Sequence, residues 1–334
     1  MEIGLTTFGD IAVGGSAGEK LRHVIDEIVL AEQVGLDVFA VGEHHRPDYA
    51  ISTPPIILAA GAARTSRIKL ASSVTVLGSE DPVRVFQQFT SIDLLSGGRA
   101  EIWAGRGSFT ESFPLFGFDL NDYDQIFSER LDLLLNIRSS DRVTWAGKTR
   151  APLHDAGIFP RPERELPVWI AVGGTPQSVV RAATLGLPLV LAIIGGEPKR
   201  FLPFFDLYRQ TGTTAGTSEN LKTGLNLHGF VADSNEKARD ILWPHYSAVM
   251  TRIGRERGWS GMTREQYDWA CGPEGNLLVG SADYVAEKIS GICTLFKPDR
   301  FLVQMTVGTL AQADIMTSIE LFGTRVAPLL RTAV

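Results

Sequence analysis

Asp37-Val-Phe-Ala-Val-Gly-Glu-His-His45 is the stretch on which the reading of the fold turns. Asp37 to Val41 is an apolar run of strand length, and it stops at an acid followed by two imidazoles. An unbroken apolar run of this kind fits a strand buried on both faces, as in a parallel sheet. In parallel α/β proteins ligands are held at the carboxyl ends of the strands, so Glu43, His44 and His45 stand where chemistry is done. Neighbouring side chains on a strand point to opposite faces. The three therefore cannot all reach one atom unless the backbone turns, and no other strand end offers a further His, Asp or Glu set. A metal site needs such partners, so none is expected. A plainer reading, one His packing a loop and the other exposed, stands beside a functional one.

Working outward, apolar strand-like runs alternate with helical patterns. Strands are expected at 2–8, 37–41, 68–76, 99–104, 167–172, 188–194, 221–231 and 300–307. Helices are expected at 19–34, 54–65, 82–95, 125–138, 177–185, 198–209, 235–257, 282–294 and 312–330, the second opened by Pro54-Pro55 in its first turn. Thr211 to Ser218, rich in Gly and Thr, reads as a loop. Eight strands with helices between them point to one (β/α)8 TIM barrel over residues 1–334. Excess length falls in insertions near 109–124, 143–164 and 258–276, on the C-terminal face. A doubly wound open sheet would want a Gly-rich fingerprint after its first strand, and Thr6-Thr-Phe-Gly9 is not one.

Composition sets the outer limits. The 334 residues are 44% hydrophobic and 21% charged, with net charge −6, ordinary for a soluble enzyme. The pI near 5.6 gives no basic surface for nucleic acid. Cys271 and Cys293 are too few for a disulfide framework. The first residues lack the pattern of a signal peptide and no apolar stretch is long enough to span a membrane, so a cytoplasmic protein is expected.

Two turns suit an anion. Gly105-Arg106-Gly107-Ser108 follows the fourth strand, and a guanidinium between two glycines can meet a phosphate with its fork. Val172-Gly173-Gly174-Thr175-Pro176-Gln177-Ser178 leads from the fifth strand into a helix whose free N–H groups attract anions; a merely capped helix is the alternative. Together they imply a phosphorylated ligand. Ala71-Ser-Ser-Val74 ends the third strand with small side chains, leaving room for a flat ring.

These motifs, in this order, resemble the bacterial luciferase-like flavin monooxygenases over nearly the whole chain. Asp81-Pro-Val-Arg84, Leu94-Leu-Ser-Gly-Gly-Arg99 and Leu185-Gly-Leu-Pro188 add to the match. The resemblance implies a barrel that binds reduced FMN, or alternatively the deazaflavin F420. With FMN and O2, oxidation of a small, apolar organic substrate would run through a C4a-peroxyflavin. It implies His44 as the catalytic histidine, with Glu43 and His45 beside it. Cofactor contacts would come from Thr7, Ser72, Ser73, Arg106, Gly107, Gly173, Gly174, Thr175 and Ser178. A cis peptide under the ring would fall between Ser72 and Ser73, and a mobile lid around Trp259 to Asn276. A separate NAD(P)H-flavin reductase and a homodimer are the implied partners; Ile56, Ile57, Leu58, Val85, Phe86 and Phe89 are apolar enough for the dimer contact and equally suit ordinary barrel packing. F420-linked hydride transfer and a non-catalytic flavin-binding protein remain alternatives. A phosphate-sugar aldolase would need a lysine at a strand end, whereas Lys69 begins its strand.

Overall fold

Eight parallel strands close into a ring in the computed structural model, which describes residues 1–107 and 109–332. They are β1 (Glu2–Thr7), β2 (Val38–Val41), β3 (Lys69–Ser72), β4 (Ala100–Gly105), β5 (Val168–Val172), β6 (Leu189–Ile193), β7 (Thr223–Val231) and β8 (Arg300–Gln304). Each pairs with the next, and the ring closes where β8 meets β1, from Glu2 opposite Arg300 to Thr6 opposite Gln304. The architecture is the (β/α)8 barrel that the alternation implies.

The strands close because their interior side chains fit one another. Val38, Ala40, Ala71, Trp103, Trp169, Val190 and Leu302 form the buried layer inside the ring. Below it, Arg300 is 1% exposed and reaches Glu101 at 2.6 and 3.0 Å and Glu2 at 2.8 and 2.5 Å. Its guanidinium lies 4.4 Å from the centre of the Trp169 ring, and Lys69 also bonds Glu2. This ionic plug lies at the strand starts. The outer faces of the strands pack against helices such as Ala17–Gln33, which opens on a capping box between Ser16 and Glu19.

Several expectations need correction. The strand expected at 68–76 breaks after Ser72 and resumes as Thr75–Val76 beside β4. The non-proline cis peptide lies between Ser73 and Val74, one residue beyond the expected bond. The expected loop at Thr211 to Ser218 is helical as far as Ala215, in the helix Leu202–Ala215. The Gly and Thr residues there serve packing: a Cβ on Gly212 would lie 2.3 Å from Leu221, and the Thr213 and Thr214 hydroxyls return to the carbonyls of Arg209 and Gln210. The last helix changes register through Phe322–Val326 before continuing as Ala327–Thr332.

Within the insertions, the segment after Gly258 contains the helix Arg264–Cys271, opened by a Thr263/Gln266 capping box. The segment from 143 holds a hairpin of Arg142–Trp145 with Leu153–Gly157. Of the apolar residues named for a dimer contact, Ile57, Leu58, Val85, Phe86 and Phe89 are buried in the barrel's own packing, and Ile56 alone is exposed, at 66%. No helix of the described residues is long and apolar enough to cross a membrane.

Replacing Arg300 with Met should lower stability by about 3–5 kcal/mol, because buried Glu101 loses its hydrogen-bonded countercharge and keeps only the partly exposed Lys69, 3.7 Å away. Urea unfolding measures this, and the double variant Arg300→Met, Glu101→Leu should recover most of the loss.

Candidate active site

Every strand ends at the same mouth of the barrel, and a cavity of ≈ 330 Å³ opens there, within the range of small-molecule sites. One arc of its wall comes from β1, β2, β7 and β8: Phe8, Glu43, His44, Asn226 and Gln304. The opposite arc comes from the ends of β3, β4, β5 and β6, including Ser73, Val74, Trp103, Arg106, Gly173 and Ile194.

His44 sits where the chain leaves β2. Its backbone N–H bonds the carbonyl of Ile51 at 2.9 Å, which folds the following loop back on it. Gly42 permits this turn, since a Cβ there would lie 2.2 Å from the Phe8 ring. The imidazole is 6% exposed and boxed by Phe8, Tyr49 and Phe109, with ring centres 4.6, 4.5 and 4.9 Å away. Burial, then the neighbouring Arg46 and His45, lowers its pKa to about 3. The ring is therefore neutral at ordinary pH, and its Nε2 is buried with no hydrogen-bond partner. A neutral imidazole with a free nitrogen can donate or accept one hydrogen bond to a ligand in the cavity.

His45, in the loop after β2, lies outside the cavity lining. Its Nε2 bonds Glu43 Oε1 at 2.9 Å, and this partner raises its pKa above the ordinary value. Glu43 Oε2 accepts the Val76 N–H at 3.1 Å. Glu43 therefore holds His45 and the strand resuming at Thr75, and not the His44 ring nitrogen Nε2, which has no partner. Phe116 covers His45, with ring centres 5.1 Å apart.

The two anion-suited turns meet. The Arg106 guanidinium donates to Thr175 Oγ1 at 3.1 Å and to Asp124 at 2.7 Å, lies 5.0 Å from the centre of the Tyr123 ring, and its carbonyl accepts from the Tyr123 hydroxyl at 3.1 Å. Thr175 precedes the helix Pro176–Thr184 but makes no side-chain cap, so the first-turn N–H groups lack a side-chain acceptor. Gly173 lines the cavity with no atom within 4 Å of where its Cβ would stand. Ser178 joins it from the same turn. A phosphate fits here: it would find a cation, two hydroxyls and a helix N-terminus beside the open space at Gly173, sharing Arg106 with the Asp124 carboxylate.

Other expected residues stand differently. Thr7 is fully buried and bonded to Thr306 at 2.8 Å, outside the lining. Ser72 is also buried, its Oγ tied to Thr75 and to the Trp103 backbone. Gly107 lines the cavity and Gly174 lies just outside the lining, at φ 110°. Ser108 lies outside the described residues. No residue from 258 to 276 lines the cavity; Arg257, the last residue of the preceding helix Asn235–Arg257, does. That helix end is fastened over the mouth by Arg46 to Glu256 at 2.5 Å and Arg252 to Asp48 at 2.5 Å, with Arg257 near the Phe109 ring. Among the described residues no group of three His, Cys, Asp or Glu side chains is arranged to hold a metal ion.

Asn226, Gln304, Tyr123 and Arg257 were not named from sequence. The first two carried a legible signal: each is a carboxamide flanked by apolar residues in a buried strand, Asn226 between Leu225 and Leu227 and Gln304 between Val303 and Met305, where an amide is costly unless it has a task.

A closed parallel barrel that brings an anion-suited turn and a buried neutral histidine to one cavity at its mouth is a small-molecule site of the (β/α)8 class. The luciferase-like monooxygenase family model matches residues 1–294, and the chain belongs to that family. It is 27% identical over 311 residues to the N-acetyl-S-alkylcysteine monooxygenase of Bacillus subtilis, covering 88% of this chain and 89% of that one. The F420-dependent glucose-6-phosphate dehydrogenase of Amycolatopsis mediterranei is 31% identical over 165 residues, 46% of this chain and 48% of the other. The same fold occurs in the oxygenating constituent of 3,6-diketocamphane monooxygenase of Pseudomonas putida, solved with FMN. It superposes with a TM-score of 0.81 at 19% identity, covering 98% of each chain. The relatives thus include both monooxygenases and F420-dependent oxidoreductases.

His44 and His228, whose pKa burial lowers to about 4, are both neutral in the fold. The unfolded chain binds protons at these sites below an ordinary histidine pKa, so their contribution to stability falls as pH drops from about 6.5 toward 4. Each contributes a slope of at most about 1.4 kcal/mol per pH unit. Asp10, whose carboxyl burial pushes up to about 7, acts in the opposite sense over the same range. The test is therefore the difference between proteins: thermal unfolding from about pH 6.5 to 4 should show His44→Gln gaining stability relative to wild type as pH falls.

Proposed function

We propose that the protein is a flavin-dependent monooxygenase that takes reduced FMN and molecular oxygen and oxidises a small organic substrate. The observation that supports this most is the uncapped helix start at Thr175, faced by Arg106 and opened by Gly173, at one end of a cavity whose other end holds His44. Arg106, Thr175 and Ser178 would bind the phosphate, and Ser73 and Val74 would carry the ring. Reduced FMN, when bound, supplies the electrons with which O2 is activated. The chain's own work is positioning and exclusion of water. Phe8, Tyr49 and Phe109 keep the imidazole dry, and the Arg46–Glu256 and Arg252–Asp48 pairs hold the helix end over the mouth.

A histidine with so low a pKa is a weak general base. His44 serves better as a neutral hydrogen-bonding group that polarises an oxygen of the substrate or holds a proton at Nε2 while charge develops. Glu43 and His45 support it at one remove, by shaping the β2 loop and the segment after β3. The reduced flavin would come from a separate NAD(P)H-flavin reductase, and a homodimer is the expected assembly. The cradle would also receive the phosphate of F420; hydride transfer through F420 is the competing reading, supported by the Amycolatopsis relative.

Two measurements test the assignment. Fluorescence titration should give tighter binding of FMN than of riboflavin, by about 10- to 100-fold, with the advantage lost in Arg106→Met and Gly173→Val. Tighter binding of F420 than of FMN would transfer the assignment to hydride chemistry. His44→Ala should bind FMN within a few-fold of wild type and lose about 10²–10⁴ in turnover with reduced FMN and O2; unchanged turnover would remove His44 from the mechanism. Absence of flavin-dependent oxygen uptake across a broad substrate panel would favour a non-catalytic flavin-binding protein.

A further inference from the structure

The arc of wall opposite the phosphate cradle carries two carboxamides that the proposed chemistry does not use. Gln304, the last residue of β8, is 2% exposed and lines the cavity, and its Oε1 is buried without a hydrogen-bond partner. Asn226 on the adjacent β7 is 7% exposed and also lines the cavity. Its Oδ1 already accepts the Thr6 hydroxyl at 3.0 Å, which assigns its NH2 group as the remaining donor. Thr6 links the two: it lies opposite Gln304 across β1 and β8 and bonds Asn226, which stands opposite Leu302, two residues before Gln304, while His228 is the β7 residue opposite Gln304.

A buried amide oxygen left unpaired destabilises the fold, and an apolar residue of the same size would avoid that cost. Packing alone gives no reason for glutamine at this position. The neighbouring interior residues Trp103, Val190 and Leu302 show that the layer accepts apolar side chains. A donor on a bound molecule would complete Gln304, and a carbonyl beside that donor would complete Asn226.

We infer that Gln304 and Asn226 form a paired reader for a molecule that presents an N–H or O–H donor next to a carbonyl oxygen. This inference rests on the reading of the cavity as a flavin site. The pair shares its arc with Phe8 and His44, while the cradle and Ser73–Val74 lie on the other arc. The favoured source is therefore the substrate, which would be an amide, a lactam or a hydroxy ketone in place of a purely apolar molecule. The pyrimidine edge of the flavin carries the same donor beside a carbonyl and is the second source. Rejection of analogues without the donor follows from the same physics, because such a molecule would leave the amide oxygen unpaired inside the protein.

The experiment uses the full chain and two sets of matched probes. The first set pairs secondary amides and lactams, several of them carrying a thioether or ketone, with their N-methyl counterparts; binding is read by thermal shift with and without FMN. The second pairs FMN with 3-methyl-FMN, read by fluorescence titration. A preference of about 10- to 100-fold for the N–H member, lost in Gln304→Leu, is the expected result. Preference in the first set, with FMN affinity unchanged in the variant, assigns the contact to the substrate. Preference only in the second set assigns it to the cofactor. Equal response to both members of every pair in the wild-type protein overturns the inference. Gln304→Met and Asn226→Leu repeat the comparison if Gln304→Leu does not fold. If FMN fails to bind at all, the flavin reading falls, while the thermal shifts still decide whether the amide pair selects a donor.

Discussion

The hydrogen-bonded ladder between β8 and β1 is the constraint on which the rest depends. Five residue pairs, Glu2 with Arg300 to Thr6 with Gln304, join nearly the whole length of the chain into one ring. Closure forces all eight carboxyl ends to one mouth, so residues as distant as Phe8, His44, Asn226 and Gln304 share a wall. It also sets Arg300 against Glu2 and Glu101, where the buried charges satisfy one another. Without that register the guanidinium would be an unpaired charge in an apolar interior.

Above this base the site divides its tasks between two halves of the ring. The cradle at β4 and β5 is electrostatic: a guanidinium, hydroxyls and helix N–H groups that gain by meeting negative charge. The β1–β2 side is apolar and dry, and there the imidazole stays neutral because aromatic rings replace water around it. The same burial that weakens His44 as a base strengthens any hydrogen bond it makes. The covering elements are tied by ion pairs between loop 44–50 and the end of the helix Asn235–Arg257.

Much of this was legible in the chain. Strands and helices were readable because buried parallel strands are apolar throughout while their covering helices keep a helical period. The Gly-Arg-Gly and Gly-Gly-Thr turns suited an anion, with a merely capped helix as the alternative, and the structure sets Arg106 against Thr175. Reading failed where one residue type serves two purposes. Glycine and threonine at 211–215 look like a loop, yet Gly212 is there because Leu221 packs against the helix. Ser72 and Ser73 look alike in sequence, but one is bonded inward to Trp103 while the other lines the cavity.

The sequence by itself determined the barrel class, and it marked the strand ends, the two Gly-rich turns and the histidine pair as candidates, because periodicity and turn chemistry are local. The tertiary structure decided which histidine faces the cavity. It showed that Glu43 holds His45 and not His44, and it moved the cis peptide to Ser73–Val74. It also revealed the two amides on the opposite wall and the helix end that covers the mouth. These depend on register, on the turn after each strand and on contacts between residues some 200 or more positions apart in the chain, such as Arg46 with Glu256 and Thr6 with Asn226. Pairing at that distance leaves no periodic trace in the sequence. It exists only once the ring has closed.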